Sequence, residues 1–160
     1  MAADVTTESA EARLRALGLE LPKMPPPAGT YLHAIVSRGV LMTAGHIPLR
    51  ADGTAIFGRL GADLDADAGC EAARVAGLGV LATIRDALGT LDRVSRFVRV
   101  YGVVNATPEF LLHTKVINGA SDLFVEVFGE AGQHARLAVG VASLPFNIAL
   151  EVEATIEVRE

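Results

Sequence analysis

Residues 149–158 read ALEVEATIEV, and the alternation within them decides the fold class. Leu150, Val152, Ala154, Ile156 and Val158 fall on one side and Glu151, Glu153, Thr155 and Glu157 on the other. That period of two is what a β-strand shows when only one of its faces is core. Just upstream, residues 134–145, HARLAVGVASLP, hold a second apolar run that opens with Arg136 after the glycine-containing turn GEAGQ. VSRFVRVYGVV, residues 94–104, is β-branched and suits a central strand.

Further from these strands, residues 66–88 carry Ala72, Val75, Ala76, Leu81, Ile84 and Leu88 at helical spacing, with acids at the start where the helix dipole favours them. Gly77 and Gly79 weaken this helix locally and permit it to pack closely on a sheet. Two strands around Arg38-Gly39 are expected in Tyr31–Ala44, and AIFGRLG, residues 55–61, reads as a further short strand. Short helices are expected at 107–113 and 120–129. At the N-terminus, residues 8–18 read as an appended helix, which PKMPPPAG ends because proline lacks an amide donor. The organisation expected is a helix and proline-rich connector over 1–29 and an α+β domain over 30–160, its helices covering one face of a mixed sheet.

The chain's 160 residues suit one domain, and a hydrophobic fraction of 51% is enough for a core. Six phenylalanines, two tyrosines and no tryptophan make that core largely aliphatic. A net charge of −5 without any basic run disfavours a nucleic-acid partner, whose phosphates must be neutralised. The single cysteine, Cys70, excludes an internal disulfide. Neither a secretory leader nor an apolar span of the roughly 20 residues a membrane helix requires is legible, so a cytoplasmic protein is expected.

Phosphate-binding glycine loops, nucleophile elbows and paired cysteines are missing from the sequence. His33, His46, His113 and His134 lie far apart without metal-ligand spacing, so no metal is expected. Cys70, near the start of a helix, lacks a partner base and reads as a small helical residue. Asn105, at the end of a strand, either caps the following helix or hydrogen-bonds a substrate. By pattern alone Glu151 and Arg136 read first as solvated charges, with a carboxylate and an anion-binding arginine on neighbouring strands as the alternative.

Taken together, VLMTAGHIP, DALGTLDRVSRFVRVYG, VNATPEF and HARLAVGVASLP…LEVEATIEV resemble the YjgF family of reactive intermediate deaminases over residues 30–158. NGASDLFVEVFGEAG is similar to the family's longer-loop branch, also labelled endoribonuclease L-PSP-like. The resemblance implies a chorismate-mutase-like α+β subunit and a homotrimer with clefts between subunits. It also implies hydrolysis of enamine or imine intermediates, of the 2-aminoacrylate type, to 2-keto acids and ammonia without a cofactor.

On the same resemblance Arg136 holds the substrate carboxylate, a task suited to a planar two-pronged donor, and Glu151 positions or deprotonates water. Tyr31 lines the cleft, Asn105 lies near it, and the main chain of Ala138 holds the substrate nitrogen. This chain departs from the pattern at Ala44-Gly45-His46, where the family has serine-glycine-glutamine, and at Gly140, where many relatives carry a charge. A second reading is a non-catalytic trimer that binds a small carboxylate for regulation. A third is an endoribonuclease or translation inhibitor, against which the acidic balance and scarce aromatic stacking groups count.

Overall fold

The structure, a computed structural model, describes residues 8–160; residues 1–7, part of the stretch read for a leader, lie outside them. Its elements are α1 (Ala10–Ala16), β1 (Ala34–Ser37), β2 (Val40–Thr43), α2 (Ala66–Leu88), β3 (Val94–Asn105), α3 (His113–Phe128), β4 (Ala135–Val141) and β5 (Leu150–Val158). The strands form one sheet in the order β1-β2-β5-β3-β4. All neighbours are antiparallel except β3 and β4, which run parallel with α3 as the crossover between them.

The alternation in β5 sets the two layers. Leu150, Val152, Ala154 and Ile156 are buried on the face that packs against α2, and Glu151, Glu153, Thr155 and Glu157 stand on the opposite face. In β3 the buried positions facing the helices include Phe97, Val100 and Val104. Phe97 stacks on Phe124 of α3 at 4.5 Å between ring centroids, joining the sheet to that helix. The β1–β2 hairpin turns at Arg38 and Gly39, both with positive φ (49° and 75°), as the primed two-residue turns require.

Asp65 caps α2 by accepting the Ala68 amide at 2.8 Å, and Gly89 ends it in the left-handed conformation (φ 81°). Its glycine Gly77 faces α3 instead of the sheet: a Cβ there would stand 3.0 Å from Leu123 and 3.4 Å from the Ala120 backbone. Sequence patterning also misplaced the helices after β3. Residues 107–112 are not helical, and one continuous α3 spans the gap left between the two helices expected. The reason is tertiary. Gly119 lies against the Cys70 carbonyl of α2 with no room for a Cβ, so a residue that weakens an isolated helix is the point where two helices meet.

AIFGRLG is not a strand. It makes isolated bridges from Ala55 to Leu49, Phe57 to Ile148 and Leu60 to Leu64 and Ala106, broken by Gly58 and Gly61 at φ 120° and 87°. The N-terminal helix α1 is fixed to the domain. Ser9 caps it, Leu14 enters the core, and Glu11 receives Arg85 Nε and Nη2 at 3.0 and 2.6 Å and the Leu91 amide at 3.0 Å. Burial pushes the Glu11 carboxyl up, but these hydrogen bonds outweigh it and hold it below the usual range.

Candidate functional site

β4 is an edge strand, and its pairing decides what it offers. Val141 accepts the Ala106 amide, so the odd-numbered residues of β4 bond to β3. The N–H and C=O of Arg136, Ala138 and Gly140 therefore lie along the open edge. Arg136 is paired with Val100, so its side chain is on the helix-covered face.

Three neutral oxygens of α3 hold the Arg136 guanidinium. Nη1 donates to Asn118 Oδ1 at 2.8 Å and Ser121 Oγ at 3.0 Å, and Nη2 donates to the Thr114 carbonyl at 3.3 Å. Thr114, Asn118 and Ser121 follow one another at helical spacing, which presents them to the strand as a row. Nε–H and the second Nη2 N–H have no protein partner among the described residues, and no carboxylate pairs with Arg136 there. An arginine aimed by neutral acceptors keeps its full charge for an anion.

Glu151 is in register with Val103 and faces away from the helices. It borders a cavity of about 250 Å³ together with Tyr31, His33, Ile47, Pro145 and Phe146. Burial, and then the neighbouring Glu153, raise its carboxyl above the usual carboxylate range. Gly45 makes the fit possible, since a Cβ there would stand 2.5 Å from Glu151 Oε2. Tyr31 Oη accepts the Ala28 amide at 3.3 Å, which holds the ring at the rim of this cavity.

His46 is 1% exposed and spends both ring nitrogens inside the fold. Its Nδ1 donates to the Ala44 carbonyl at 2.8 Å and its Nε2 accepts from Thr83 Oγ1 at 2.7 Å. Burial lowers its pKa to about 4, with the nearby His33 adding to the effect, so the ring is neutral. It pins the 44–46 turn, and with it the floor beneath Glu151, to α2.

The structure thus gathers Tyr31 and Glu151 in one place and Arg136 and Ala138 in another. Asn105 belongs to neither cluster directly and caps no helix. The residue is 2% exposed, and its Nδ2 donates to Asn147 Oδ1 at 3.0 Å and to the Ile148 carbonyl at 3.1 Å. It holds the loop in which Phe146 and Asn147 adopt φ of 56° and 58° and Phe146 is 86% exposed beside Glu151. The asparagine that touches Arg136 is Asn118, which sequence reasoning did not single out; its i, i+3 relation to Ser121 on the helix before the arginine strand is the signal that could have found it.

At Gly140 the His113 ring lies where a side chain would begin, leaving no space for a Cβ. The Cys70 thiol is pushed up by burial and then by Asp122, opposite to what a nucleophile needs. Among the described residues no three His, Cys, Asp or Glu side chains converge as metal ligands, and no helix is long and apolar enough to cross a membrane.

The two-layer α+β subunit matches the fold of the chorismate-mutase-like proteins. The chain belongs to the family described as "YjgF/chorismate_mutase-like, putative endoribonuclease", whose pattern it matches over residues 11–157. It is 44% identical over 149 residues to protein TCP17 of Trypanosoma cruzi, covering 92% of this chain and 93% of that one. The crystal structure of Atu1372 from Agrobacterium tumefaciens superimposes with a TM-score of 0.86 at 38% identity over 94% of each chain. A "putative endoribonuclease" from Shewanella oneidensis gives a TM-score of 0.90 at 36% identity, covering 94% of this chain and 99% of the other.

Proposed function

We propose that the protein hydrolyses small 2-imino acids, formed from enamines such as 2-aminoacrylate, to 2-keto acids and ammonia, in clefts between the subunits of a homotrimer. The observation that carries this reading is the state of Arg136: oriented by three neutral oxygens, unpaired with any carboxylate among the described residues, and beside the open main-chain groups of Ala138. Its two spare N–H groups form a fork for the substrate carboxylate, and the Ala138 main chain receives the imine nitrogen.

Glu151 supplies the other half. Its ionised carboxylate takes a proton from a water as the water oxygen bonds to the imine carbon and the C=N π pair moves to nitrogen, which accepts that proton to give the carbinolamine; the C–N bond then breaks as the hydroxyl proton passes through Glu151 to nitrogen, leaving the 2-keto acid and ammonia. Imines react with water unaided, so placing one water and one carboxylate anchor is enough to accelerate the step. Because Arg136 and Glu151 face opposite ways on one sheet, the reading requires the arginine of one copy to meet the carboxylate of another. Ile35, Met42 and Leu137, roughly half exposed on the uncovered face, give copies an apolar surface on which to assemble.

The test is release of keto acid and ammonia from enzymatically generated 2-imino acids, with light scattering for the mass. Acceleration by the parent, its loss in Arg136→Ala, and a mass of three subunits support the reading. Saturable carboxylate binding without ammonia release replaces it with the regulatory trimer.

A further inference from the structure

His134, immediately before β4, makes the outer end of a chain of hydrogen bonds that ends on Arg136. Its Nδ1 lies 2.6 Å from the Gly132 carbonyl and its Nε2 2.9 Å from Ser121 Oγ, which in turn accepts Arg136 Nη1 at 3.0 Å. The proton directions follow from chemistry. A carbonyl only accepts, so Nδ1 carries the proton; Nε2 of the neutral ring then accepts the Ser121 O–H, and the Ser121 lone pairs face the guanidinium.

We propose that His134 is a positioning residue for Arg136, acting through Ser121 to hold the guanidinium in the orientation that binds a carboxylate, and that it does so in its neutral form. This rests on the reading of Arg136 as the carboxylate anchor. The ring packs beside the stacked pair of Phe97 of β3 and Phe124 of α3, at 6.3 and 6.0 Å between centroids. Around it stand Phe97, Phe124, Ser121, the Gly132 carbonyl and Arg136, of which only Arg136 is charged. Burial, and then the Arg136 charge, lower its pKa, keeping the ring neutral at physiological pH. Protonation would make Nε2 a donor, reverse the Ser121 hydroxyl, and set a second cation one hydroxyl away from the first.

The experiment compares parent, Arg136→Ala, Ser121→Ala, His134→Phe and His134→Gln, each checked for folding by circular dichroism. Calorimetric titration uses pyruvate, which carries the carboxylate, and pyruvamide, which does not. Ser121→Ala and His134→Phe are expected to weaken pyruvate about tenfold, the worth of one hydrogen bond to a charged group, without changing pyruvamide. With substrate the loss appears in KM and not in kcat. His134→Gln, whose amide oxygen can replace Nε2 as acceptor, restores binding and removes the fall in pyruvate affinity that the parent shows on acidification.

Equal loss of both ligands, or no loss in either Ser121→Ala or His134→Phe while Arg136→Ala abolishes pyruvate binding, overturns the inference and leaves the anchor standing. If the parent does not bind pyruvate, or Arg136→Ala binds it as well as the parent, the anchor reading falls and this inference with it.

Discussion

Arg136 and Glu151 stand on opposite faces of one sheet: the arginine is in register with buried Val100 on the helix side, the glutamate with Val103 on the other. No side-chain rotation within one chain brings them together. If both act on one substrate, a variant lacking the arginine and a variant lacking the glutamate carry complementary defects. Arg136→Ala and Glu151→Gln, each inactive alone, should regain activity when unfolded and reassembled together. Random mixing in a head-to-tail trimer restores roughly a quarter of the sites. Recovery is read as ammonia release; a mixture as inactive as its components places both residues in separate sites.

Glu151 must be ionised to accept a proton, and its carboxyl is raised by burial and Glu153. The kcat/KM profile should therefore rise with pH through a value above that of an ordinary carboxylate and then level off, as a steady-state pH series would record. Glu151→Gln loses this limb and roughly 100-fold or more in kcat. A raised carboxyl also means that the charged form is penalised in the folded state, so at neutral pH Glu151→Gln should unfold at a higher temperature than the parent.

His46 gives the opposite dependence for stability. Its pKa is about 4 in the fold against 6.5 when free, so below pH 6.5 the unfolded chain takes up a proton that the folded chain refuses. Its contribution is whole above pH 6.5 and declines towards pH 4, a loss of up to roughly 3 kcal/mol. Urea unfolding of parent and His46→Gln at several pH values isolates it: the difference between the two curves should shrink as pH falls through that window.

Gly119→Ala drives a methyl into the Cys70 carbonyl and the Arg74 amide of α2, both backbone and unable to yield. A loss of roughly 3 kcal/mol or more is expected, at the upper end for overpacking. Gly77→Ala meets the flexible end of Leu123 at 3.0 Å and should cost less. Thermal melts of the two variants rank them; a milder Gly119→Ala would refute the close approach of the helices.

The strands were legible because period-two alternation survives in any sheet with one covered face, and β5 states it without interruption. What sequence could not show was contact between distant segments. Gly119 reads as a weak point in a helix and is a helix crossing. Asn105 reads as a cap or a ligand for substrate and is the tether of a loop that begins 39 residues later, at Leu144. Arg136 was visible as a strand-opening charge, but its partners Asn118 and Ser121 sit on a helix that patterning had split in two. The neutral acceptors that hold Arg136 in place of a carboxylate come together only when that helix is whole.

The His113 ring over Gly140 ties two positions together across the edge of the sheet. A side chain at 140 and the imidazole at 113 claim the same volume, so neither position is free to change alone. A lineage that gains a charged residue on this stretch of β4 must first give up, or turn aside, the histidine at the start of α3. Among relatives the two sites should covary, the bulk at one answering the bulk at the other.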